Sequence, residues 1–195
     1  MKRLLGVVLA GVLAGGAVAQ DAPNASQEAQ PRRGSWWAID GGAFIPSSGE
    51  IRDRFGDTLL RIGARPFEAK IRDNWTFTTD ITVLSARGKG SKLFALPVTA
   101  GVTRAFARKE DDFVPIVTIA TGPAYYDYSI LRADPVQPVL NRISTKRVGW
   151  NAHVETAFIV NQRLAIALRY DWYSKTDGFD FSGLSVGLSY AVARF

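Results

Sequence analysis

His153 is the single histidine of this 195-residue chain, and Glu155 follows two positions later. On an extended strand both side chains leave the same face, which sets a base beside an acid. A hydrolase would use such a pair to activate a nucleophile. Ser144 and Ser174 are available hydroxyls, but no nucleophile motif surrounds either. The His153/Glu155 pair therefore reads as polar partners in an interior, and the chain is expected not to be an enzyme. No metal-ligand cluster is apparent. Gly88-Lys89-Gly90-Ser91 lacks the preceding spacing of a phosphate-binding loop and reads as a hairpin turn. No catalytic, cofactor-binding or metal residue is expected, and no cofactor. With no cysteine in the chain, the fold must rest on backbone pairing and packing.

The elements that must position these residues are strands. Phe181 to Phe195 reads FSGLSVGLSYAVARF, with Leu184, Val186, Leu188, Tyr190 and Val192 on one parity and small residues on the other. A period of two is the mark of a β-strand. Seven further strands precede it, and no convincing amphipathic helix does. They lie near 35–45, 59–67, 75–86, 92–104, 113–126, 148–160 and 164–172. The fifth is apolar on both parities, so its phase stays open. A strand and turn about every 20 residues is the spacing of an up-and-down antiparallel barrel.

Alternation alone does not say which face looks inward. A soluble lipocalin-like barrel would put the apolar parity inside and long polar side chains outside. In strands seven and eight, however, the opposite face holds Ala165, Ala167, Gly183, Ser185, Gly187 and Ser189. An eight-stranded barrel has an interior only just wide enough for side chains to fill, so the small parity belongs inside and the large one faces lipid. The predicted fold is an all-β, eight-stranded antiparallel up-and-down transmembrane barrel over 35–195. Trp37, Trp75, Trp150, Tyr170, Trp172 and Tyr190 fall toward the ends of the apolar tracks, where aromatic girdles meet the two interfaces. Asp40, Arg61, Arg65, Asp80, His153, Glu155, Arg169 and Asp171 fall on the other parity. An Arg or Lys facing lipid near the midplane costs roughly 2–4 kcal/mol. Two readings stay open for this set: a paired network inside the barrel, or charges solvated at its mouths.

The ends of the chain agree with an envelope location. Met1-Lys2-Arg3 precedes an uncharged apolar run from Leu4 to Ala19, closed by Ala17-Val18-Ala19. This is the pattern of a cleaved signal peptide over 1–19, and the run is short of the roughly 20 residues a spanning helix needs. Residues 20–34 are polar, hold Pro23 and Pro31, and read as a flexible periplasmic leader. The formal charge of +6 falls to +4 without Lys2 and Arg3. Its basic residues are scattered rather than gathered in a stripe, which argues against nucleic-acid binding.

VGWNAHVETAFIVNQRLAIALRYDWY (148–173), FSGLSVGLSY (181–190) and the terminal Phe195 resemble the small outer-membrane β-barrel proteins of the OmpA, OmpX and OmpW-like group, over roughly 35–195. The resemblance implies a monomer in outer-membrane lipid, inserted by the barrel-insertion machinery, with Phe195 as the C-terminal insertion signal. Some such barrels are lipases, proteases or lipid A-modifying enzymes. The chain departs from the group's pattern at its end, where Phe195 shares parity with Ala193, Ala191 and Ser189. Either a bulge lies near 191–194 or Phe195 lies past the paired strand. With both termini in the periplasm, the connections at 46–58, 87–91, 131–147 and 175–180 face outside. Residues 49–56 are suited to one helical turn capping the mouth. Pro97 and Pro115 fall inside predicted strands and imply bulges or shortened strands. The expected function is a structural or surface-interaction role through the outer loops. The alternatives are a narrow porin-like channel for small or apolar solutes and a membrane-embedded lipid-modifying hydrolase.

Overall fold

The computed structural model describes residues 36–106, 113–133, 140–160 and 163–194. The expected signal peptide and leader and Phe195 lie outside the described residues. Strands β1 (Trp36–Pro46), β2 (Leu59–Arg72), β3 (Trp75–Gly88), β4 (Ser91–Ala105), β5 (Phe113–Ala133), β6 (Leu140–Val160), β7 (Leu164–Tyr173) and β8 (Gly183–Arg194) follow in order. A short helix, α1 (Gly49–Phe55), joins β1 to β2. Each strand pairs antiparallel with the next, and β8 returns to pair with β1, closing an eight-stranded barrel. β1 begins and β8 ends at one mouth, here the terminal mouth. The α1 segment and the β3–β4, β5–β6 and β7–β8 connections lie at the other, distal mouth.

Parity sets which side chains line the interior. Ile39, Leu60, Ile62, Val154, Val186 and Leu188 point outward and are exposed. On the alternate parity Asp40, Asp80, Glu155 and Arg169 are buried. β5, apolar on both parities, turns Val114, Ile116, Ala120, Tyr126, Tyr128 and Ile130 inward. Along β6 the outward apolar track from Val148 to Phe158 covers ~34 Å of strand, or ~26 Å of height at the tilt of a barrel strand. That matches the apolar band of a membrane barrel, about 25 Å tall.

The prolines behave differently from expectation. Pro97 pairs with Ala124, and the β4–β5 ladder resumes at Ala100 and Thr121 in unchanged register. Pro115 lies opposite Phe158 within an uninterrupted ladder. Neither makes a bulge or shortens its strand. A proline removes one donor only, and the Pro115 carbonyl still accepts the Phe106 N–H at 3.0 Å. The register instead slips beside Pro66, between Ala64 and Phe67 of β2. It slips again at the end of β8, where Trp37 faces Ala193 while Ala38 faces Ala191. Val192 is thus the extra residue of a bulge in the β1–β8 ladder.

The β5–β6 connection also differs. Instead of a loop over 131–147, the two strands continue as a hairpin paired out to Ala133 and Leu140. β7 stops at Tyr173, opposite Asn151, so β6 from Leu140 to Trp150 has β5 as its only ladder partner. Above the barrel neither face of the hairpin is wholly apolar, so no hydrophobic parity announces it.

Candidate functional site

A belt of charge crosses the barrel at mid-height. β1 contributes Asp40, β2 Arg61 and Arg65, β3 Asp80, β6 His153 and Glu155, and β7 Arg169 and Asp171. All eight are buried, the most accessible being Arg65 at 8%. Arg61 pairs with Asp40 at 2.8 Å, and Arg65 reaches both oxygens of Glu155 at 2.5 and 2.6 Å. Arg169 joins Asp80 at 3.0 Å to Asp171 at 2.7 Å, and Thr82 donates to Asp80 at 2.6 Å. Cross-strand register does the positioning: His153 lies opposite Asp171, and Glu155 opposite Arg169. Gly63 makes room for the belt, since a Cβ there would stand 2.8 Å from Asp40 Cγ.

Three guanidinium groups meet four carboxylates in this belt, so the positive charges are all matched. Breaking a buried pair by removing one partner costs ~3–5 kcal/mol, because the other charge is left uncompensated. Beside the belt lies a small cavity with room for about one water, lined by Asp40, Arg61, Glu155, Arg169, Ser185 and Ser189.

Above the belt, toward the distal mouth, the interior changes character. Phe44, Tyr126, Tyr128, Tyr173, Phe179 and Phe181 fill it, with Ile51 and Phe55 of α1 packed into the same cluster. Phe181 stacks on Tyr126 with ring centroids 5.7 Å apart and lies 5.5 Å from Tyr128. The small-residue interior read from strands seven and eight therefore does not extend to this half. No sequence period announces this plug. β5 hides its phase, and Phe179 and Phe181 sit in a connection with no period to place them. The one available signal was α1, whose Ile51 and Phe55 are spaced by four and share a helix face.

A polar latch holds the β7–β8 connection over the plug. Asp177 accepts hydrogen bonds from Tyr128 Oη at 2.6 Å and Thr145 Oγ1 at 3.0 Å, and pairs with Arg147 at 3.0 Å. Those partners, the Tyr128 hydroxyl first, hold the Asp177 carboxyl below its ordinary value. Asp177 and Gly178 both have positive φ, 50° and 84°, the left-handed pair of a tight hairpin turn.

The aromatic residues divide between the two ends. Trp150, Tyr170 and Trp172 stand near the distal end of the apolar band, with Tyr170 and Trp172 in edge contact at 5.1 Å. Trp75 and Tyr190 stand near the terminal end, both exposed. The backbone of Trp37 lies at the same end, opposite Ala193.

For hydrolysis the geometry is unhelpful. His153 is enclosed in the belt. Ser174 Oγ accepts the Trp150 N–H at 2.8 Å, and Ser144 lies out on the hairpin opposite Ser129. Among the described residues, no group of three His, Cys, Asp or Glu could hold a metal ion.

A closed ring of eight up-and-down strands, with charges inside and apolar side chains outside, is the architecture of the small outer-membrane barrels. No protein-family model matches the chain, and no curated protein matches it by sequence. Solved structures do. Neisserial surface protein A superposes with a TM-score of 0.52 at 14% identity, covering 81% of this chain and 97% of that one. The outer-membrane enzyme PagL gives 0.52 at 11% identity, covering 80% and 99%. Ail, the attachment invasion locus protein of Yersinia pestis, gives 0.51 at 13% identity, covering 81% and 97%. At such identities the likeness is one of fold.

Proposed function

We propose that this chain is an outer-membrane protein whose closed barrel carries its distal loops and the β5–β6 hairpin as a surface for interaction. The observation that carries the reading is the doubly filled interior. A belt of ion pairs spans the middle and an aromatic plug seals the distal half, which leaves no water-filled path for a solute. The distal mouth is then the cell surface and the terminal mouth the periplasm, as a cleaved signal at 1–19 implies. The aromatic residues near the two ends of the band act as interfacial girdles, and Phe195 acts as the insertion signal. The barrel works as a monomer.

Fractionation of cells expressing the full chain is expected to place it in the outer membrane; recovery in the soluble periplasm overturns the reading. Planar-bilayer recording of the refolded protein should give no steady current, and a steady current would favour the narrow channel instead. The likeness to PagL gives a second reading, a lipid-modifying enzyme. That reading requires a lipid-hydrolysis activity that His153→Ala abolishes while the barrel still folds.

A further inference from the structure

We infer a binding site for the phosphorylated headgroup of a membrane glycolipid on the outer wall of the barrel, centred on Arg87 and Lys92 at the distal end of the β3–β4 hairpin. The inference rests on the membrane reading above. Register places Arg87 directly opposite Lys92, Lys92 opposite Ser129 and Ser129 opposite Ser144. All four follow the outward parity of their strands, and Arg87, Lys92 and Ser144 are exposed. Lys89 occupies the turn between the two cations with a φ of 44°. Arg142 stands one pair further out, opposite Leu131.

Like charges directly opposite on a sheet repel and destabilise it. One pair nearer the membrane the same face does balance its charge, with Lys146 joined to Asp127 at 3.4 Å. Among the described residues Arg87, Lys89, Lys92 and Arg142 have no ion pair. An anion between Arg87 and Lys92, whose Cβ atoms are ~5 Å apart in such a pair, would turn the repulsion into a two-pronged clamp.

Direction and depth select the ligand. Arg87 and Lys92 leave the wall on its outward parity rather than from the turn at the tip. Two pairs closer to the terminal mouth the same face carries Val83, Leu96, Tyr125 and Val148, where the apolar band begins. A lipid standing beside the barrel presents its phosphate at that height, since the headgroup layer extends ~5–8 Å beyond the hydrocarbon. The patch is also one-sided. At the same end, β1, β2, β7 and β8 turn outward Ile45, Leu60, Trp172 and Leu184, which are exposed and apolar.

The full chain is reconstituted in phosphatidylcholine vesicles, with or without bis-phosphorylated lipid A. Flotation with the vesicles reads insertion, and glycolipid retained per protein after detergent extraction reads the site. Wild type should retain lipid A and fail to retain its dephosphorylated form. The double variant Arg87→Ser, Lys92→Ser should float normally and lose retention about tenfold, the loss expected for one or two charge-assisted contacts. The charge-conserving Arg87→Lys, Lys92→Arg should keep it, and Lys70→Ser, Lys175→Ser serves as the equal-charge control. Equal loss in the control would mean general attraction only, and effective competition by inorganic phosphate would mean a free-anion site. Either result overturns the proposal, as does unchanged retention in the double variant. Failure of wild type to float refutes the membrane reading itself, which separates the two failures.

Discussion

The barrel interior solves one problem in two ways. At mid-height, Arg61, Arg65 and Arg169 are held by carboxylates on four different strands. Near the distal mouth, Tyr126, Tyr128, Phe179 and Phe181 pack ring against ring. The belt is specific because every partner is fixed by register. The plug is tolerant because aromatic packing asks for volume and a few contacts. A fault in the belt leaves a buried charge, while a fault in the plug leaves a hole. The two halves also differ in origin, since the belt is built from strand residues alone and the plug borrows α1 and the β7–β8 connection.

The largest effect should come from the belt. Arg169→Met strands Asp171, leaves Asp80 only its longer 3.8 Å contact with Arg65, and should cost ~3–5 kcal/mol, read as a lower urea midpoint for unfolding from vesicles. Phe181→Ala should cost about 3 kcal/mol, the low end for an aromatic truncation, because a connection can settle more easily than a strand. It should also stay non-conducting, since the belt remains shut. A steady current from Phe181→Ala would make the plug the true barrier and reverse the comparison. Val154→Arg, near the middle of the lipid-facing track, should cost about 2 kcal/mol while leaving both interior layers intact; no effect would argue that this face does not meet lipid. The smallest change concerns the latch. A carboxyl held below its ordinary value contributes stability that is complete above its unfolded pKa of about 3.9 and lost as pH falls through the folded value. Hydrogen-exchange protection of the β7–β8 connection should therefore drop below about pH 4 in wild type. In Asp177→Asn it should be weak at every pH, and a retained pH step in that variant would assign the titration to another group.

Much of this was legible in the sequence because strand parity is a strong code. It gave the outward face of β1–β4 and β6–β8, and it put all eight belt residues on the inward parity. Which of them would pair was beyond parity, because that depends on strand stagger. Arg169 meets Asp80 across the interior of the barrel, 89 residues away, and no local pattern encodes such a partner. The plug was illegible for another reason: Tyr126 and Tyr128 alternate with Tyr125 and Asp127, so inward and outward tracks of β5 look alike. Residue type alone is a poor guide at Pro97 and Pro115, because the ladder tolerates the loss of one donor there and the slip falls beside Pro66.

The seam between β1 and β8 carries a consequence for how the barrel forms. β5 and β6 are joined by a short connection and can zip outward from it, whereas the seam joins Trp36 to Arg194, almost the whole length of the domain. Relative to a six-residue hairpin loop, bringing those ends together costs about 3 kcal/mol more in chain entropy. Neighbouring hairpins should thus assemble first and the seam close last, at the slow end set by non-local pairing. Until then β1 and β8 are both bare edges, open to pairing with any extended chain. A version cut short before Gly183 would never leave that state. Its expected fate is aggregation rather than a seven-stranded barrel.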